Sequence, residues 1–422
     1  MQPWGALSRE FLVGSSKSLS APWIMKAHVI RWAVSLAAAA FLLLLAPHAQ
    51  AYAWMIRHGY TTCMPCHTDP SGASVLTPYG RAQGELLLSS YYGAKPEEAS
   101  PDAAKLLGAI ELPENLRLGG DVREAFLRVT PEGAESSDRW LLMRADLYGD
   151  LKLGRLRFAG SLGFSHEGAL KAALTSAPRD NLVSREHWIG YELDEDASWL
   201  IRAGRIALPF GIRNIEHTLW VRNSTRTDLL DNQQHGVALS ISKDWIRGEV
   251  MGILGNFQLG PDAYRERGYS AYLEVSPLHG LALGASSLFT RAERDINFHV
   301  TDYRQAHGLF ARYAPSDDAP IVFMAEWDWL YDSLTWAGHR GGFAGEAQAD
   351  FEPLQGFHLM VTGETKNGGA ANESASYGIW GTAAWFFVPH ADLRIDNIYQ
   401  SLGSPAGSIG AFSFLAQVHV YL

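Results

Sequence analysis

The sequence predicts an all-β chain: a transmembrane barrel of about sixteen strands preceded by a small, mainly helical N-terminal segment. Three observations carry this expectation. Apolar and polar residues alternate with period two from residue 115 to the end, long and short connections follow one another, and the last segment alternates up to its terminus. Composition agrees: 422 residues hold one large barrel, and charged residues make up 19% against about 25% in ordinary soluble domains. With 11% aromatics and hydrophobic residues in short bursts, the chain is neither disordered nor collagen-like. A mean hydropathy of -0.08 and a single long apolar run exclude a multi-helix membrane protein.

That run, Ala33 to Ala46, follows Lys26 and Arg31 and precedes Pro47-His48-Ala49-Gln50-Ala51. A positive flank, a short apolar stretch and a small-residue site describe a signal peptide cut after Ala51. Residues 1–24 do not belong to such a leader, so translation is expected from Met25 and residues 1–51 are an upstream extension plus signal peptide. Its removal takes four of 35 basic and one of 45 acidic residues, leaving 31 against 44 and a net charge of -13. This balance argues against nucleic acid as a partner and suits a cationic substrate.

Residues 52–113 form the second unit. Two cysteines in an exported chain would ordinarily pair, but here they stand in Cys63-Met64-Pro65-Cys66-His67, the C-x-x-C-H signature of covalent haem attachment. Two thiols one turn apart add to the two vinyl groups, and the adjoining imidazole of His67 reaches the iron. A thioredoxin-like pair lacks a βαβ context, and a zinc site lacks two further cysteines. One covalent haem c is therefore expected, held by Cys63, Cys66 and His67. On its other face His58 is the candidate ligand and Met55 the alternative; either equally fits as packing around the porphyrin, and the position is also compatible with an open site or a barrel residue. Thr77-Pro78-Tyr79-Gly80-Arg81 reads as a turn into a helix around Glu85 to Leu88, and Ser100-Pro101-Asp102 as the start of a second, ending near Gly108. So small a unit has little core beyond the haem and needs something to pack against.

Residues 114–422 are the barrel. In Trp140 to Leu153 the odd positions from Leu141 are apolar or small while Arg144, Asp146, Asp150 and Lys152 occupy even ones. In Ile321 to Tyr331, Phe323, Trp327, Trp329 and Tyr331 face one way and Glu326 and Asp328 the other. An arginine at Phe323, on the lipid face, is expected to cost about 2 to 4 kcal/mol if that position lies near the midplane, and the same change at Glu326 much less. Long connections fall at 166–183, 211–234, 291–305 and 365–375, and tight ones at 194–198, 276–280, 315–320 and 388–391. This is the rhythm of long outer loops and short periplasmic turns. The last strand, with Phe412, Phe414, Ala416, Val418, Val420 and Leu422 on one face, closes the sheet. A soluble β-sandwich is the competing fold, since its half-buried strands alternate too.

Arg57, the six-residue step to Cys63, the C-x-x-C-H and Leu76-Thr77-Pro78-Tyr79-Gly80-Arg81 together resemble the N-terminal segment of the fused monohaem cytochrome-porins of iron-oxidising bacteria. The motifs cover about twenty-five residues, and the haem-plus-barrel architecture extends the likeness over the mature chain. His58-Gly59-Tyr60 departs from the Gln-Thr-Gly of that family. The resemblance implies electron exchange across the outer membrane, between an extracellular donor or acceptor such as Fe(II) and periplasmic electron-transfer cytochromes, with outer-membrane lipid around the barrel. It also implies that the connection from Leu208-Pro209-Phe210-Gly211-Ile212-Arg213 through His217, Arg222, Arg226 and Gln233-Gln234-His235-Gly236 folds into the lumen. There Arg213, Arg222 and Arg226 could hold haem propionates or pass anions; as an exposed loop they would merely pair in solvent. Two functions follow: an electron conduit, such as an Fe(II)-oxidising cytochrome, or a porin whose haem segment is a structural or redox-sensing plug.

Overall fold

The computed structural model describes residues 52–165, 174, 180–213, 216, 218–229, 232–255, 265–316, 318–336, 338–369, 373–405 and 407–422. The expected leader over 1–51 and His217 lie outside the described residues. One closed antiparallel sheet is made from seventeen hydrogen-bonded segments, and two of them, Asn181–Val183 and His187–Glu192, pair with the same neighbour. They form one interrupted strand, whose gap is stitched where Ser161 Oγ accepts from Arg185 N at 2.9 Å and Glu186 N at 3.1 Å. The barrel therefore has sixteen strands: β1 Leu116–Pro131, β2 Ser137–Leu153, β3 Leu156–Ser165, the interrupted β4, β5 Trp199–Ile206, β6 Gln234–Lys243, β7 Ile246–Gly255 and β8 Glu266–Leu278. The second half is β9 Leu281–Ala292, β10 Asp302–Tyr313, β11 Ile321–Leu334, β12 Gly338–Leu354, β13 Phe357–Asn367, β14 Ser376–Val388, β15 Ala391–Ser404 and β16 Gly407–Tyr421. Closure is made by β1 and β16, in register from Asp121 with Tyr421 to Pro131 with Ala411. Among the described residues no strand is left without a neighbour on either side, as a sheet in lipid requires.

Side chains alternate as expected. On β11, Phe323, Trp327, Trp329 and Tyr331 are exposed on the outer face, while Val322, Met324, Glu326 and Asp328 are buried in the lumen. On β16, Phe412 and Val418 face outward, and Leu415, Gln417, His419 and Tyr421 inward. Exposed aromatics mark both rims, Trp245 and Trp385 at the short-turn end and Trp336 and Tyr377 at the other, as in the aromatic girdles of membrane barrels. No helix among the described residues is long and apolar enough to cross a membrane; the crossing elements are strands.

Three expectations are corrected. The phase of β2 is not continuous, because Arg123 pairs with Arg144 and Glu124 with Leu142, leaving Met143 without a register partner. Met143 consequently turns inward beside Arg123 and Glu216, while Trp140 and Leu147 are both exposed. Loop length alternates for most strands but not all, since the connections 335–337 and 405–406, on the long-loop side, are short. Finally, residues 100–108 form turns rather than a helix. Their bonds span three residues, Ala103 N to Ser100 O at 3.0 Å and Lys105 N to Asp102 O at 2.9 Å, and Leu107 adopts φ 55°, which stops propagation. Ser100 is instead held by Glu85 Oε2, to which its backbone N–H and hydroxyl donate at 3.2 and 3.1 Å.

Candidate functional site

The segment from residue 52 enters the lumen at the short-turn end. A 3-10 helix, Ala53–His58, buries Trp54, Met55 and Ile56, and these pack with Tyr272, Phe310, Met324 and Phe386 of the strands. Trp54 lies 4.1 Å, centroid to centroid, from His358 on β13. This is the packing surface that so small a segment could not supply for itself.

Cys63 to Cys66 makes a tight turn in which His67 N donates to Cys63 O at 2.9 Å. Helix α1, Pro78–Gln83, follows Thr77, whose hydroxyl accepts from Gly80 N at 2.9 Å and donates to Pro65 O at 2.7 Å. Thr77 N donates to Cys66 O at 2.9 Å. The cap of α1 is thus also the brace of the cysteine turn, with Pro78 pre-set for the first helical position. Gly80 is required by contact: a Cβ there would lie 2.7 Å from Cys66 Cα and collide with Cys66 O. The motif beyond the cysteines is therefore a packing partner for them. A π-type turn, Gly84–Leu88, continues α1 where the sequence predicts helix.

Lumen arginines fasten this segment to the wall. Arg157 Nη2 donates to Thr68 O at 2.6 Å and to Asp150 at 2.8 Å, Arg202 pairs with Asp69 and Glu249, and Arg57 pairs with Glu352. Arg312 donates to Ala53 O at 3.0 Å and Thr61 O at 2.9 Å, and Arg247 Nη1 to Cys63 Sγ at 3.1 Å. Glu274 is the shared counter-ion of Arg247 and Arg312.

The segment folds around a cavity that also meets the inward loop at Arg213 and Leu229 and the wall at Arg247 and Arg312. Both cysteines border it, with Met55, Leu76 and Leu88 as apolar walls and Arg213, Arg247 and Arg312 as cations. The structure brings Cys63, Cys66 and Met55 together at this cavity. His67 is buried directly behind Cys66, bridged to Leu76, and neither it nor the half-buried His58 is among the lining residues. Burial pushes the Cys66 thiol up to about 12 and the His67 imidazole down to about 4. His67 is accordingly neutral at cellular pH, the form that binds metals.

The connection after β5 folds inward from the opposite mouth. Leu208, Phe210 and Ile212 are buried, Gly211 N donates to Ser286 Oγ at 2.8 Å, and Ile212 N donates to Glu326 Oε2 at 2.8 Å. Helix α2, Trp220–Thr225, is fixed by Trp220 N to Glu364 Oε2 at 3.0 Å and by Arg304 Nη1 to Thr225 O at 2.7 Å. The three arginines separate. Arg222 pairs with Glu326 and Arg226 with Asp295 and Glu266, whereas Arg213 reaches the cavity. Sequence reading missed Arg247 and Arg312, which lie on strands far from the cysteines; the signal was their place on the polar face of β7 and β10.

No family model matches the chain, and no curated protein matches it in sequence. Solved structures do match in fold. The chain is similar to outer-membrane expressed OmpT of Vibrio cholerae, with a TM-score of 0.54 at 10% identity over 74% of this chain and 99% of that one. It is similar to an anion-selective porin from Comamonas acidovorans, with a TM-score of 0.53 at 12% identity over 73% and 99% of the two chains. The outer membrane channel DcaP of Acinetobacter baumannii gives 0.50 at 11% identity over 72% and 96%. At these identities the likeness is one of fold: a porin-like barrel.

Proposed function

We propose that this chain is an outer-membrane c-type cytochrome-porin that moves electrons between an extracellular donor or acceptor, Fe(II) among them, and periplasmic cytochromes. The carrying observation is the cavity within the lumen, bordered by both thiols of the C-x-x-C-H, by apolar walls and by guanidinium groups. These residues fit a haem: two thiols for its vinyl groups, Leu76 and Leu88 against the ring, and cations for its carboxylates. When bound, the group supplies one-electron exchange between Fe(II) and Fe(III). Cys63 and Cys66 would anchor it. His67, which adjoins Cys66 but does not line the cavity, would have to turn toward it to ligate the iron. For the other face, Met55 lies on the cavity wall, and His58 stands three residues further along the same short helix. The apolar band of a membrane barrel is about 25 Å tall, so a single haem near the short-turn mouth needs a second redox partner there. A periplasmic cytochrome takes that place, and the extracellular partner approaches from the loop end.

The alternative is a porin with a structural or redox-sensing haem plug. The barrel's likeness to an anion-selective porin favours it, whereas the segment packed inside the lumen and the loop bonded to its wall favour the conduit. Attachment itself is tested on a denaturing gel, because thioether bonds survive unfolding. The exported full-length chain is expected to retain haem stain in the outer-membrane fraction, and Cys63→Ser with Cys66→Ser to abolish it. An exported native chain without covalent haem would overturn the reading.

A further inference from the structure

We infer that Arg213, carried by the inward loop, binds a propionate of the haem, so that the loop from the outer mouth is part of the cofactor site. This rests on the proposed haem reading. Arg213 is 6% exposed and lines the same cavity as Cys63 and Cys66. Its Nη1 donates to Leu208 O, and its guanidinium sits 5.7 Å from the Tyr272 ring centroid. Its Nε and Nη2 are buried and meet no hydrogen-bond partner among the described residues. A buried cation with two idle donors is costly unless an anion completes it.

The neighbouring cations differ. Arg247 and Arg312 share Glu274, and Arg202 holds Asp69 and Glu249. Arg222 and Arg226, the other arginines of the same loop, are each paired with strand carboxylates. Among the described residues Arg213 makes no ion pair; Glu249 and Asp69, which Arg202 holds, act on it only at longer range, so of the three loop arginines it is the one whose donors stay open toward the cavity. A guanidinium presents two parallel donors that suit a carboxylate. The apolar walls beside the cysteine turn select an anion attached to a large apolar ring over a small free one.

The test uses the full-length haem-bearing protein with Arg213→Gln and Arg213→Lys, each first checked for retained covalent haem and for heat-dependent migration of the folded barrel. Removing a positive charge beside the haem favours its oxidised state. Arg213→Gln is expected to shift the reduction equilibrium about tenfold that way, or about 59 mV for one electron, and to steepen the pH dependence of the potential near neutrality. The propionate bending band in resonance Raman should move as well. Arg213→Lys should restore most of the potential while leaving the Raman band displaced. Haem-bearing variants whose potential, pH profile and Raman band all match the native protein would overturn the role of Arg213 and leave the haem reading standing. A native chain without covalent haem would overturn both.

Discussion

Replacing Glu326 by Ala is expected to destabilise the folded barrel by about 3 kcal/mol and to raise its ion conductance. Glu326 Oε1 accepts from Arg222 and Oε2 from Ile212 N, with both charged side chains almost fully buried. Gly211, at φ 60°, passes so close to this pair that a Cβ there would strike Glu326 and Arg222. Loss of one partner of a buried ion pair costs about 3 to 5 kcal/mol, because the other charge stays uncompensated. Asp328 lies near enough to Arg222 to take up part of its charge, which puts the cost at the low end. The sequence-based expectation that a change at Glu326 is mild is therefore corrected. It treats the lumen as water, whereas the inward loop covers this position. Urea titration of the reconstituted barrel measures the first effect and planar-bilayer conductance the second; native values for both would mean that the ion pair does not hold the loop.

An arginine at Leu309 is expected to cost about 2 to 4 kcal/mol, and one at Phe323 about 0 to 1. Leu309 is exposed on the outer face in the middle of β10, opposite Trp327. Phe323 is near the short-turn end of β11, opposite Tyr313, the last residue of β10. The penalty for a charge facing lipid falls from the midplane to the interface. Reversible folding into bilayers, followed by tryptophan fluorescence, gives both values. Equal costs at the two positions would contradict the depth assigned to them.

The outer-face pattern of β11 and β16 was legible because side chains in a strand have a strict period of two and only one face meets lipid. The bulge at Met143 was not, since one extra residue reverses the phase with no mark in the local composition. Cys63, Cys66 and His67 announce themselves by spacing. Thr77 and Gly80 stood in the motif that carried the family resemblance, but their bracing of the cysteine turn appears only in the packing of α1 against Cys66. Arg213, Arg222 and Arg226 looked equivalent in the sequence. Their fates diverge because Glu326 and Asp295, on β11 and in the connection after β9, capture two of them across the lumen.

Electron transfer through liposomes tests the central claim most directly. Vesicles carry the haem-bearing protein in their membrane and a soluble cytochrome inside, and a membrane-impermeant reductant or Fe(II) is added outside. The bound haem is expected to be reduced first and the enclosed cytochrome after it, with little leakage of a small solute. Replacing His67 should stop the transfer while the barrel stays folded. Rapid solute flux, indifferent to His67 and to the oxidation state of the haem, would contradict the conduit and make the chain a porin.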